Sequence, residues 1–475
     1  MSDQATQDLG VERKLSALES SFISSQPNMN IAAIEIEGNI DSEIMAQAIT
    51  LLMQRYPSFR RNTDRKTAPF SWVEITQPAV FRTVESEDWK TVANNELRNH
   101  FTLGTNTHLW RSCLVKSPGN HLSNVLLFMY DHAIADGMSK VILLNTLLNC
   151  YVILSKGDHV TVNSLPAHLS VLESQLLTPS NANCKKNSQE LNALLKEVDD
   201  HNRTWRSSLR ASNQANNPAC DSEPTSNYDD TNGFLCVDGD AKNLEALIKC
   251  SKQNNTTVGC TLLAAAAWSM AKLERLHSQQ HGQQIVQQTN GQDAPTFTID
   301  INMDVNERHR VSPSLGDEHV QLFISMLPQK IHIRYTDSFW ASSLRIREYV
   351  TNKLPSTVNY QLALEHLENI GAPYWKADAN FSSMGRHPFP SKYGDLVIKK
   401  MHHVGSKWSP FFGRFVFLSQ SVSAIGYDLV YEQCDHDIAK HIMSMWSSLS
   451  ENAANLNSSY TFADFLRTDE FFYKK

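Results

Sequence analysis

Short apolar runs and longer helical periods alternate along this chain, and they set the elements to expect. From Ile31 to Glu37 apolar and polar positions alternate, which predicts a strand. Asp41 then reads as a helix cap, and the helix it starts has to end before Pro57, because proline cannot continue it. Val125 to Tyr130 is an unbroken run of large apolar residues, predicting a buried strand, and Met138 to Tyr151 carries apolar residues at helical spacing. Between them lies Asp131-His132-Ala133-Ile134-Ala135-Asp136-Gly137, whose closing Asp-Gly marks a turn. Strands and helices alternate in this way to about residue 175, predicting one mixed α/β unit.

The pattern changes from Thr178 to Asn232, which is polar, rich in asparagine and punctuated by proline, with one helix-like patch near Gln189 to Val198. A second unit follows. Gly233 to Val237 predicts a strand, Val258 to Leu273 an alanine-rich helix with Trp268 and Met270 in its core, and Phe297 to Arg310 a strand ending in a basic turn. Ala424 to Tyr431 predicts another strand, with a helix from Ile438. The expected organisation is an N-terminal subdomain over 1–177, a linker over 178–232 and a C-terminal subdomain over 233–475. The Gln/Asn-rich stretch Ser278 to Gln292 reads as a surface excursion, and the aromatic tail after Thr461 as a segment docked on the surface.

The length of 475 residues exceeds the ~250 to 300 at which one core stops growing, so two domains are expected. Apolar residues at 41% and nine tryptophans suffice to fill both. A net charge of -7 without any Lys/Arg block removes the electrostatic footprint of a nucleic-acid binder. No apolar run approaches the length of a membrane span, and the first ten residues are polar and acidic, so a cytoplasmic protein is expected. The eight cysteines are scattered without a Cys-x-x-Cys pair, which fits reduced thiols. His402 and His403 are strand neighbours that face opposite sides, so no metal site is expected there. Asp435, His436, Asp437 and His441 read as a solvated helix start with Asp435 as its cap.

Chemistry concentrates at His132. It leaves the end of a strand, where rigid backbone can aim an imidazole into a cleft, and its ordinary pKa near ~6.5 suits a general base. Asp136 lies close enough to pin the loop, and Gly137 tolerates close backbone approach. No Gly-x-Ser-x-Gly elbow occurs anywhere, in keeping with chemistry that needs no acyl-serine.

This His-x-x-x-Asp-Gly element resembles that of the acyltransferase superfamily of chloramphenicol acetyltransferase, condensation domains, alcohol acetyltransferases and polyketide-associated acyltransferases. Its fuller form has two histidines, the second catalytic; that position is His132, and Asp131 stands where the first would be. Arg55-Tyr56-Pro57-Ser58-Phe59-Arg60 resembles the Arg-His-Pro signature, Phe101-Thr102-Leu103 with Leu109-Trp110-Arg111 the segment before the His loop, and Phe381 to Arg386 a Ser-Asn-x-Gly loop, all in family order.

The resemblance implies an α/β fold of two chloramphenicol-acetyltransferase-like subdomains, each a mixed sheet with flanking helices, with an active-site tunnel between them. It implies direct acyl transfer from a thioester, acyl-CoA as co-substrate with no other cofactor, to a small alcohol or amine acceptor. His132 is then the base and Asp136 a structural residue paired with an arginine, Arg308 first and Arg310 second. Such charged turns are also commonly just solvated. The Gly137 N–H, a backbone donor beside the base, is the expected oxyanion donor. Ser382, Ser383 and Gly385 would line the donor channel. A free-standing monomer is expected; a condensation enzyme fed by an acyl carrier protein, and a non-catalytic descendant of the fold, are the other readings.

Overall fold

The computed structural model describes residues 13–24, 28–64, 71–165, 196, 198, 200–203, 232–280, 296–309, 315–316, 319–354, 376–406, 413–432 and 435–468. The first half runs β1 (Arg13–Lys14), α1 (Ala17–Ser24), β2 (Met29–Glu37), α2 (Ser42–Arg55), β3 (Arg61–Asp64), β4 (Ser71–Glu74), β5 (Phe81–Glu85), α3 (Trp89–Arg98), β6 (Trp110–Ser117), β7 (Asn120–Asp131) and α4 (Gly137–Ser155). The second runs β8 (Asn232–Asp238), α5 (Ala241–Gln253), α6 (Val258–Gln280), β9 (Thr296–Asn306), β10 (Ile324–Arg334), α7 (Phe339–Lys353) and β11 (Ala379–Arg386). It closes with β12 (Lys392–Tyr393), β13 (Leu396–Gly405), β14 (Phe415–Ser421), β15 (Ile425–Glu432), α8 (His436–Asn452) and α9 (Phe462–Arg467).

Two six-stranded mixed sheets organise these elements, in the orders β12-β13-β2-β7-β6-β5 and β10-β9-β11-β14-β15-β8, beside a small sheet β1-β4-β3. The two-subdomain α/β architecture expected from the sequence is therefore present. Two strands cross over, β12 and β13. β13 belongs by sequence to the expected 233–475 unit, yet it pairs antiparallel with β2, placing His402 opposite Ala33 and His403 opposite Ala32. The halves are thus joined by backbone hydrogen bonds as well as by packing.

Local chemistry explains most element ends. Asp41 caps α2 by accepting from the Glu43 and Ile44 N–H groups at 2.8 and 3.1 Å, and Pro57 opens a 3-10 turn where the helix stops. α4 is the longest apolar helix of the first half, long and apolar enough by composition to cross a membrane, where no such run was expected. It is mostly buried against α2 and the first sheet as a core helix. In the second half α6 extends to Gln280, beyond the expected end at Leu273 and into the stretch read as an excursion.

Three expectations change. Asp435 does not cap α8; it is buried and paired with Arg414, whose Nε lies 2.7 Å from its Oδ2, because a buried guanidinium needs a counter-charge more than the helix end needs a cap. The described start of the aromatic tail does not dock on the surface: Phe462 and Phe465 of α9 are fully buried against Trp268, with a Thr461–Asp464 capping box fixing the turn, and residues after 468 lie outside the described residues. Ser382 to Gly385 is not a loop but the end of β11, where the pairing with β14 slips between Ser383 and Arg386 and Gly385 takes φ +65°. Most of the expected linker and residues 281–292 lie outside the described residues. Inside that linker, residues 200–203 are helical, and His201 and Asn202 hydrogen-bond the Lys376 backbone at 2.7 and 2.9 Å.

Trp446 of α8 shows what holds the second half. Fully buried, it meets Phe417 and Tyr427 edge-on at 5.0 and 5.1 Å and donates to the Leu262 carbonyl at 3.0 Å, tying α8 to the sheet and to α6. Trp446→Ala is expected to cost about 3 to 5 kcal/mol, read as a lower urea midpoint with an unchanged slope.

Candidate active site

The His loop starts where β7 ends. Asp131, at the position of the family's first histidine, is fully buried and accepts from the N–H groups of Ala133 at 2.9 Å and Asn28 at 3.1 Å. Burial pushes its carboxyl up to about 7. Its work is to fold the loop back on itself, so that His132 faces away from the sheet.

Asp136 takes the opposite end. Its Oδ1 caps α4 by accepting the Ser139 N–H at 2.7 Å, and its Oδ2 accepts the Phe323 N–H at 2.9 Å. Arg308 completes the set with a two-pronged pair, Nη1 to Oδ2 at 2.7 Å and Nη2 to Oδ1 at 2.9 Å, both side chains having no exposed surface. Burial pushes the Asp136 carboxyl up, but Arg308 and the two N–H donors outweigh it and hold it below the usual carboxylate range. Arg308 spends its other donors on Ser139 Oγ at 2.8 Å and the carbonyls of His319 and Gln321. The basic turn expected after β9 is therefore buried machinery. Arg310 lies outside the described residues.

With the loop pinned at both ends, His132 lines a cavity of about 180 Å³ between the two sheets. Its partly buried ring stacks on Phe22 of α1, centroids 4.7 Å apart and planes 16° from parallel. Nδ1 is shut off from solvent without a hydrogen-bond partner among the described residues. Burial drives the imidazole pKa down, and the Lys140 cation adds to that, so the ring stays neutral below its ordinary titration range. With Nδ1 closed off, Nε2 is the ring nitrogen left to the cavity, and in the neutral ring it can hold the lone pair.

Gly137 stands at the first turn of α4, and a Cβ there would lie 2.5 Å from the Met384 sulfur of the opposite wall. Without a side chain at Gly137, the Met384 side chain lies directly against the start of α4. Ser382 and Ser383 line the same cavity, Ser383 accepting from Ser419 Oγ at 3.0 Å, whereas Gly385 does not line it. Sequence reasoning missed Lys140, His403, Asp304 and Asn28, all on the cavity wall. Lys140 did leave a signal: it is the sole charged residue in α4.

His402 and His403 diverge as strand neighbours should. His403 turns to Lys140 and Gln420, while His402 lies between Asp428 at 2.7 Å and Asp238 at 3.2 Å, with Cys236 close by. Burial works against protonating His402, but the two carboxylates prevail and raise it to about 12. An imidazolium between two carboxylates thus joins β13 to β8 and β15.

The sequence matches the condensation-domain family model over residues 17–285, more than half of its length, so this chain belongs to the condensation-domain family. No curated protein matches it. Among solved structures, the first condensation domain of the CDA synthetase is similar at 12% identity and TM-score 0.66, with 96% of this chain and 99% of that one covered. Polyketide synthase associated protein 5 from Mycobacterium tuberculosis is similar at 13% identity and TM-score 0.63, over 93% and 98%. Trichothecene 15-O-acetyltransferase from Fusarium sporotrichioides is similar at 10% identity and TM-score 0.64, over 95% and 97%. Likenesses at such identities establish the fold.

Removing one member of the buried ion pair tests its weight. Asp136→Asn should cost about 3 to 5 kcal/mol in urea unfolding, because Arg308 is left buried without a counter-charge. Adding Arg308→Met should recover part of that loss; a single-variant loss below ~1 kcal/mol would show that the pair does not hold the halves together.

Proposed function

We propose that this protein is an acyltransferase that passes an acyl group directly from a thioester, acyl-CoA, to a hydroxyl or amine acceptor, with His132 as general base. The observation that carries this reading is the orientation of the loop. His132 lines the cavity between the sheets while Asp136 and Arg308, which also border it, have no exposed surface and are committed to each other. A histidine placed only to fill a core would not be given an open wall.

In the proposed reaction His132 Nε2 takes the acceptor's proton as its oxygen or nitrogen attacks the thioester carbonyl. The Gly137 N–H, at the positive end of α4, is the proposed donor to the oxyanion. Collapse of the tetrahedral adduct breaks the carbon–sulfur bond, and the departing thiolate recovers the proton from the imidazolium. No covalent enzyme intermediate and no cofactor are required. Thioester and acceptor would reach His132 from different mouths of a tunnel, since one blind pocket would make them compete. A carrier-protein thioester would satisfy the same chemistry, and the condensation-domain family membership keeps that donor as the second reading.

Incubating the protein with a panel of acyl-CoAs and measuring free thiol tests this. His132→Ala is expected to lower turnover at least ~10²-fold with little loss of stability. The wild-type rate should stay on its plateau as pH falls and decline only below histidine's ordinary ~6.5, since burial and Lys140 both oppose protonation. Near-normal turnover in the variant would overturn the proposal and favour a binding protein.

A further inference from the structure

Lys140 is a buried cation without a counter-ion. It is 2% exposed, and its Nζ contacts both ring nitrogens of His403, the farther at 2.8 Å. Among the described residues no carboxylate lies within ion-pair distance of it. The two whose fields reach it are already committed, Asp136 to Arg308 at 2.7 Å and Asp428 to His402 at 2.7 Å. His403 offers no charge in return: its Nε2 faces Gln420 Oε1 at 2.5 Å and so donates there, leaving Nδ1 as a neutral acceptor for the ammonium. Burial draws the Lys140 pKa down to about 7, which leaves the ammonium form within easy reach of a bound anion.

Lys140 and His403 share the cavity with His132, and so does Asn28, whose Nδ2 is buried without a partner. An unpaired ammonium and an unused amide N–H lining one cavity are complementary to a carboxylate. The other charged group of the cavity not committed to a cation, Asp304, is occupied by hydrogen bonds from Asn380 at 3.1 Å and from Ser382. Its field is not among those that reach Lys140, which come from Asp428 and Asp136.

We propose that Lys140, with Asn28, forms a carboxylate-recognition subsite, so that the substrate reaching His132 carries an acidic group, on either the acyl chain or the acceptor. This rests on the acyl-transfer reading of the cavity. It adds a specificity that the general base alone does not provide.

Thermal shift with the full chain tests it first, with millimolar 4-hydroxybutyrate, succinate and the methyl esters of both as probes. The acids should raise the melting temperature and the esters should not; Lys140→Met should weaken acid binding by about tenfold or more, Lys140→Arg by less, and His132→Ala should leave it intact. Thiol release then locates the acid. A Lys140-dependent preference for succinyl-CoA over acetyl-CoA puts it on the acyl chain, and one for 4-hydroxybutyrate over its ester puts it on the acceptor. Equal response to acids and esters in the wild type overturns the proposal, and that comparison needs no variant to fold. Thioester cleavage without acid discrimination removes only the subsite, whereas acid binding without cleavage removes only the acyl-transfer reading.

Discussion

The pair Asp136–Arg308 is the constraint on which the site depends. It joins residues 172 apart in sequence, one at the start of α4 and one in the turn after β9, in a place with no exposed surface. Neither charge could be buried alone, so the two halves have to meet in one register for either to be tolerated. The same carboxylate starts α4 and accepts the Phe323 N–H, which couples helix, turn and the entry to β10 in one network.

His132 inherits its position from this arrangement. Asp131 folds the near end of the loop, Asp136 fixes the far end, and the ring between them turns to the cavity against Phe22. β13 supplies a second, independent clamp: it hydrogen-bonds into the first sheet while His402 on it is held by Asp428 and Asp238 of the second. With Arg308 and His402 each neutralised by carboxylates, the positive charge left beside His132 is that of Lys140. It disfavours protonation of the base and suits an anionic substrate group.

Much of this was legible in the chain. The apolar run before His132, the cap at Asp41 and the alanine-rich helix around Trp268 followed from local pattern, and the described elements agree with them; Arg308 came from family resemblance and meets Asp136, while Arg310 lies outside the described residues. Legibility failed where partners are distant. Asp435 has the side chain of a good cap, but Arg414 claims it; the tail has the look of a surface segment, but Phe462 and Phe465 pack on Trp268 in the core. Lys140 reads as one polar residue on a long helix until His403 arrives from across the molecule.

By itself the sequence determined the elements and the residue types capable of proton transfer, because periodicity, capping and turn chemistry act over a few neighbouring residues. It also carried the His-x-x-x-Asp-Gly spacing that a pinned loop needs. Tertiary structure alone decided that β13 belongs to the first sheet, that Arg308 faces Asp136, and that Lys140 lies beside His132 without a counter-ion. The β13 pairing, the Arg308–Asp136 pair and the Lys140–His403 contact each join residues more than a hundred positions apart, and burial sets their energies. No local pattern records which distant side chain will share a dry interior.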